Sequence, residues 1–389
     1  MVRIAIRTVI VGLVIGYASA LSVDKKTIQL PLKKVSTVTH ARNIVARDAA
    51  RLAQYKQKVA GSSNVEERQT GSAPVINEVF TYLAAVVVGD QTFDLIVDTG
   101  SSNTWVGATT KFVATSSAVN TGKSVEVTYG SGSFSGTEWT DTVSLNGITA
   151  TGVSIGVAKT SSDFEGTDGI IGFGPEDLTE DTVSGVSEFP TFLQDLVAQG
   201  VIGETILGVQ YAPPAGSEDE DTNGVLTLGG VDTTAFTGSI TYTTAIDPWW
   251  GVDVSDFAFG STSLGTATAS AIVDTGTTLV YVPSSVYSKF LTASKGTLDE
   301  DTGLVKFTKA PTSNFSFVFG GTTFTLTPAQ YLIPTAQYDN WGITGSDFYT
   351  FINDGGTEAP DTIIGFTFLE FYYSVFDTTN NRVGLAPNA

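Results

Sequence analysis

The chain has 389 residues, with 40 Asp and Glu against 20 Lys and Arg, 41 glycines, one histidine and no cysteine. That length is ample for two modest domains or one bilobal protein, and the acid excess excludes a nucleic-acid binder, which needs a basic surface to neutralise phosphates. The absence of cysteine excludes disulfides, thiolate nucleophiles and Cys-ligated metal, and with the lone His40 in the basic N-terminal part the rest of the chain has no Ser-His, Cys-His or His-zinc chemistry either.

Residues 1–20 read as a secretory signal peptide. Arg3 and Arg7 supply its positive end, Val9 to Tyr17 its apolar stretch, and Ala18-Ser19-Ala20 its small-residue cleavage site. No later stretch has the length of a membrane span. The expectation is therefore a soluble, secreted, extracellular monomer with no membrane partner. Residues 21–72 read as a basic propeptide. It carries an extended stretch at Thr27–Pro31, lysine pairs at 25–26 and 33–34, and a helix over Ala41 to Val59, rich in Ala, Arg, Gln and Lys. His40 reads as a solvated residue of this basic segment, and the turn-rich stretch from Gly61 to Pro74 as a processing linker. Twelve of the 20 bases but only four of the 40 acids precede Ala73, so a segment of formal charge +8 stands ahead of a body at −28. Opposite blocks of this kind suggest a prosegment lying on an acidic body, and such a body loses self-repulsion in acid.

From Val75 onward short β-rich runs alternate with turns, as at Val143–Leu145 before Asn146-Gly147 and Val225–Leu228 before Gly229-Gly230. Phe189–Gln199 and Ser284–Ala293 are the helical exceptions, so the body is mainly β. Ile96-Val97-Asp98-Thr99-Gly100-Ser101-Ser102 recurs as Ile272-Val273-Asp274-Thr275-Gly276-Thr277-Thr278. Downstream of each copy a second motif recurs in the same order, Asp168-Gly169-Ile170-Ile171-Gly172-Phe173 and Asp361-Thr362-Ile363-Ile364-Gly365-Phe366. Two motifs repeated in order imply two homologous lobes, here 73–245 and 246–389.

An Asp-Thr-Gly at the end of a buried strand places a carboxylate at a sharp turn on a cleft floor. Gly100 and Gly276 then allow a positive φ and a close approach of two backbones. Ser101 and Thr277 stand within reach of the carboxylates, and the hydroxyls of Thr99 and Thr275 suit cross-links between the two loops. With Cys and His excluded, Asp98 and Asp274 are the candidate catalytic pair.

These motifs resemble those of the pepsin-like aspartic proteases, most closely the fungal polyporopepsin type. The likeness runs from about Val79 to Leu385. It includes Phe93–Val106, Ala271–Thr278, the flap motif Tyr129-Gly130-Ser131-Gly132-Ser133, both apolar-apolar-Gly motifs and Tyr373–Asp377. The resemblance implies a bilobal β fold flanking a cleft, one catalytic Asp from each lobe, and a flap in which Tyr129 hydrogen-bonds Trp105. It also implies a zymogen with a basic prosegment side chain facing the carboxylates, for which Lys56 or Lys58 is the candidate. Further implications are protein and peptide substrates, pepstatin-type inhibition, no metal or organic cofactor, and an S1 pocket lined by Phe164 and Ile170. Trp249-Trp250 would lie near the primed subsites.

Three departures matter. Family disulfides are missing, so loops must be held by packing. Gly365-Phe366 replaces the usual Gly-Asp. Ser131 stands where some fungal relatives have an Asp that accepts Lys at P1, so apolar or aromatic P1 residues are expected and a basic one is disfavoured. Glu218-Asp219-Glu220-Asp221 reads as a solvated loop rather than a calcium site, and Asn314-Phe315-Ser316 is a glycosylation sequon. Two rivals differ in class. A catalytically silent pepsin-like binding module tends to lose an Asp or the flap Tyr, and a two-carboxylate glycosidase has no reason to duplicate Asp-Thr-Gly.

Overall fold

The first element among the described residues is a strand, β1 (Ile28–Ser36), in which Leu30, Leu32 and Lys34 point alternately to one buried face. The computed structural model describes residues 27–36, 40–60, 80–130, 132–214 and 220–389. The expected signal peptide, the linker at 61–74, Ser131, Glu218 and Asp219 lie outside the described residues. β1 pairs antiparallel with Glu220–Leu228 over its first part (Ile28↔Leu228) and with β2 (Phe80–Val88) over its second (Lys33↔Leu83). Pro31, which has no N–H to donate, falls before the pairing with β2 begins. Glu220 and Asp221, expected in a loop, instead begin the partner strand, opposite Val35 and Lys34.

The helix α1 spans Ala41–Val59, the range predicted from composition. His40 is its N-cap, Nδ1 accepting from the Arg42 amide at 3.3 Å, a capping role rather than a merely solvated one. Ala41, Ile44, Asp48, Leu52 and Tyr55 form the buried stripe at i, i+3 and i+4 spacing. Two of these five are polar groups, which a helix buries only when something on the other side bonds them.

Thirteen of the described strands form one continuous sheet, with β1 between Glu220–Leu228 and β2, and β2 beside β3 (Gln91–Asp98). The two repeats are built alike. β3 runs parallel to Gly169–Gly172, with Asp98 opposite Gly172, and Trp105–Val106 pairs antiparallel to the same strand. In the second sheet, of eight described strands, Ala269–Val273 runs parallel to Thr362–Ile364, and Val280–Val282 pairs antiparallel to it. The chain end returns to the first sheet, Tyr372–Asp377 pairing with Ile206–Tyr211. Asn146 and Gly147, at φ 48° and 85°, make the two-residue hairpin turn that their sequence predicts. The predicted helices are shorter or longer by a few residues, at Phe192–Ala198 and Ser284–Ser294.

Ring packing holds the cysteine-free body together. Phe368 stacks on Tyr372 at 4.5 Å and meets Phe317 at 5.3 Å, while Tyr82 stacks on Tyr211 at 3.6 Å beside the strands that join the two halves. No helix among the described residues is long and apolar enough to cross a membrane.

Candidate active site

Asp98 ends its strand, Asp274 directly follows the equivalent strand Ala269–Val273, and both are fully buried. Each carboxylate is held in the same way by its own loop. Asp98 accepts from the Gly100 amide (2.9 Å) and the Ser101 hydroxyl (2.5 Å), and Asp274 from the Gly276 amide (2.9 Å) and the Thr277 hydroxyl (2.5 Å). The loops are bolted together reciprocally. The Thr99 amide donates to Thr275 Oγ1 and the Thr275 amide to Thr99 Oγ1, both at 3.0 Å. Each hydroxyl then donates onward across the junction, Thr275 to the Val97 carbonyl at 2.9 Å and Thr99 to the Val273 carbonyl at 3.3 Å.

The glycines work differently from the sequence expectation. Neither Gly100 nor Gly276 has a positive φ. Glycine is needed because a Cβ at Gly276 would lie 2.5 Å from Asp98 Oδ1, and one at Gly100 2.8 Å from Asp274 Oδ1. The two carboxylates are thus packed against each other's loops with no room for a methyl group.

Sequence reasoning missed the residue that touches both. Arg51, on α1, donates from Nε to Asp274 Oδ2 (2.6 Å) and from Nη2 to Asp274 Oδ1 (3.0 Å), and the same Nη2 bonds Asp98 Oδ1. Tyr55, one turn on, donates its hydroxyl to Asp274 Oδ2 at 2.8 Å. This corrects the assignment of Lys56 or Lys58 to the carboxylates. Helical phase turns both lysines elsewhere: Lys56 donates to the Gly355 carbonyl at 2.6 Å, and Lys58 faces the charges of Glu180, Asp177 and Asp181. The available signal was the stripe of 44, 48, 52 and 55, beside which residue 51 falls. Asp48 completes the clasp, accepting the amides of Thr278 (3.0 Å) and Leu279 (2.9 Å) from the loop that follows Asp274.

The environments pull the two carboxyls apart. Burial, helped by the neighbouring Asp274 charge, pushes Asp98 up despite Arg51. Burial acts the same way on Asp274, but Arg51 and the bonds from Thr277, Tyr55 and Gly276 more than offset it and hold Asp274 below the usual range. Asp48 is pushed up to about 6, chiefly by burial, against the pull of Arg47 and its two amide bonds.

The hairpin carrying Tyr129 lies over α1. Tyr129 and Trp105 are both buried, with ring centroids 6.5 Å apart, and share an aromatic cluster with Phe134 (4.3 Å from Trp105) and Phe164 (4.8 Å from Trp105). Burial pushes the Tyr129 hydroxyl up, and Trp105 and Ser101 act on it as hydrogen-bonding neighbours, in line with the expected Tyr129–Trp105 pairing, although the Tyr129 hydroxyl and Trp105 Nε1 have no partner at ordinary hydrogen-bond distance. Beneath the hairpin lies α1. A Cβ on Gly130 would lie 2.0 Å from the Arg51 N and Cα, so helix and hairpin backbones are in contact there. Gln54 Nε2 also bonds the Thr128 carbonyl.

Phe164 and Ile170 line a cavity that also holds Asp98, Tyr129 and Gly276. Trp249 and Trp250 part company. Trp249 faces the carboxylate side with Tyr55, whose ring it meets edge-on at 4.9 Å, and Trp250 is a core residue donating Nε1 to the Phe173 carbonyl at 3.0 Å. Asn314 is exposed, immediately ahead of the strand Phe315–Phe319.

Comparison with known proteins agrees with this geometry. Residues 81–388 match the family described as "Eukaryotic aspartyl protease". Polyporopepsin of Irpex lacteus is 44% identical over 331 residues, covering 81% of this chain and 96% of that protein. Pepsin A of Sus scrofa is 28% identical over 342 residues, covering 82% and 84%. The crystal structure of the aspartic proteinase from Irpex lacteus superposes with a TM-score of 0.77 at 36% identity, covering 94% of this chain and 98% of that one. With two Asp-Thr-Gly loops interlocked at a buried pair of carboxylates, and a family match spanning the whole body, the chain belongs to the pepsin-like aspartic proteases and is an aspartic-type endopeptidase.

Proposed function

We propose that the chain is a secreted endopeptidase, active in acid and made as a zymogen, in which Asp98 and Asp274 are the catalytic pair. Residues 1–20 would be removed on export, and residues 21–72 would form the inhibitory prosegment ahead of lobes at 73–245 and 246–389. The observation that carries the reading is Arg51 across both carboxylates, with Tyr55 on one of them. With those side chains in place no substrate carbonyl reaches either Asp.

Once α1 leaves, two carboxylates this close share one proton, because both cannot ionise side by side, as pepsin itself illustrates. The ionised one takes a proton from a water as it attacks the scissile carbonyl. The protonated one donates to the carbonyl oxygen and stabilises its developing charge, and a proton then passes to the leaving amine. The bonds from Ser101 and Thr277 orient the carboxylates for these transfers. Clearing Arg51 from beneath Gly130 frees the hairpin to close as a flap over the substrate. Phe164 and Ile170 support an S1 pocket with apolar walls, and the exposed Asn314 is a glycosylation candidate.

The test is casein hydrolysis at acid pH by precursor and by acid-treated protein, with and without pepstatin. Activity should appear together with shortening of the chain between about Val59 and Pro74, a span set by the turn-rich linker, and pepstatin should abolish it. A full-length precursor already fully active would overturn the zymogen reading. Acid-treated protein without pepstatin-sensitive hydrolysis would overturn the catalytic pair.

A further inference from the structure

The cavity beside Asp98 carries a second carboxylate that the chemistry of the pair does not use. About 50 Å³ of space remains there next to α1, walled by Ile96, Phe164 and Ile170, with Tyr129 on the hairpin side and Asp163 at the mouth. Phe164 and Ile170 are buried, while Asp163 is exposed. Asp163 follows the long strand Ile148–Ser162 in a left-handed turn (φ 64°), a conformation that Asp adopts more readily than most residues. It stands against the hairpin: a Cβ added at Gly132 would lie 3.3 Å from Asp163 Cβ and 2.9 Å from Phe164 Cε2. The flap motif has Ser131 and no acid, yet an acid is present across the mouth of the same pocket.

Arg47 and Arg51 of α1 line the cavity from the other side, their guanidinium groups bonded to Thr278 and Asp48 and to Asp98 and Asp274 respectively. Apolar walls with a carboxylate at the rim fit a side chain with an aliphatic stem and a cationic end. We propose that Asp163 is a specificity-determining residue that lets the pocket beside Asp98 take a lysine or arginine of the substrate, its stem against Phe164 and Ile170 and its charge at Asp163. An extended substrate presents alternate side chains to one side, so the residue read in this way is P1 or P3. This inference rests on the protease reading above and amends the expectation that a basic P1 is disfavoured.

The experiment uses enzyme obtained by acid activation of the full chain and paired peptides that differ only in lysine or norleucine, at P1 in one pair and at P3 in the other. At mildly acid pH, Asp163→Asn should lower the lysine-to-norleucine ratio of kcat/KM about fivefold at one of these positions, the size expected for a partly exposed charge pair. Asn tolerates the same left-handed backbone, Asp163→Glu should restore much of the ratio, and Asp163→Lys should lower it further. A ratio that ignores residue 163 at both positions, with the norleucine peptides cleaved, overturns this inference alone. Wild-type enzyme that cleaves none of the peptides would overturn the protease reading and this inference with it.

Discussion

Arg51 donates to both oxygens of Asp274, at 2.6 and 3.0 Å, from a helix that precedes it by 223 residues. The same guanidinium bonds Asp98, so one planar fork bridges two buried carboxylates with a single positive charge. An arrangement of this kind is stable only while the cation and the carboxylates stay together, because removing the cation leaves a carboxylate charge buried and unpaired.

Removal of that fork should therefore weaken docking of α1 sharply. Arg51→Ala is expected to cost about 3–5 kcal/mol of precursor stability, the range for breaking a buried ion pair. Under the zymogen reading, the variant should shorten faster than wild type at a given pH. Arg51→Lys should fall between the two, since an ammonium lacks the bidentate fork. Gel time courses of precursor loss check the order, and wild type and Arg51→Ala shortening at equal rates would contradict it.

Asp98→Asn and Asp274→Asn should each abolish hydrolysis, with losses of about 10³-fold or more, since neither carboxylate can stand in for the other within a unit that acts together. Circular dichroism would verify the fold. A folded variant that retained a sizeable fraction of wild-type kcat would refute the assignment.

The helix carries groups of opposite pH sign. Asp274 is held below its ordinary range when docked, so its contribution is present above the ordinary carboxylate pKa and is lost as pH falls through the docked value. Asp48 is the reverse. Its pKa is pushed up to about 6 on docking, so its contribution is greatest in acid and declines as pH rises from about 4 to about 6. Under the zymogen reading, Asp48 thus opposes acid release while Asp274 promotes it. In an inactive Asp98→Asn background, Asp48→Asn should flatten the dependence of the melting temperature on pH over that interval, removing an effect of about 3 kcal/mol for a shift of roughly two units. A dependence unchanged by the substitution would show that Asp48 does not titrate as described.

The interlock between the loops should be strongly coupled. Thr275→Val keeps the shape but leaves the Thr99 amide and the Val97 carbonyl without partners, at an expected cost of about 2–4 kcal/mol for two buried groups. Thr99→Val should cost a similar amount. The double variant should cost less than the sum, because each single change already breaks the shared network. Denaturant unfolding of the four proteins provides the cycle, and simple additivity would argue against the interlock.

Much of this was legible in the amino-acid order because it is local or repeated. α1 falls at Ala41–Val59 because a run of Ala, Arg, Gln and Lys favours helix through backbone and side-chain entropy alone. Asp98 and Asp274 stand out because a duplicated Asp-Thr-Gly has to be used twice in the same way, and the hairpin at Asn146-Gly147 follows from two residues that tolerate positive φ. Propensity and duplication are properties of short segments, and they survive without knowledge of what packs against them.

Which cation meets the carboxylates was a different kind of question. Arg51, Lys56 and Lys58 lie within two turns of one helix, and only the phase at which α1 lies across the body turned Arg51 inward and the lysines away. The same holds for Trp249 against Trp250, for Gly276 needed by a neighbour's carboxylate rather than by its own φ, and for Asp163, placed at a pocket mouth where a strand end meets the hairpin that carries Tyr129. Composition determined a mainly β acidic body with carboxylate chemistry, and repetition determined the pair. Their partners are long-range contacts, set by how whole elements dock, and no local pattern encodes the angle at which a helix comes to rest on a sheet.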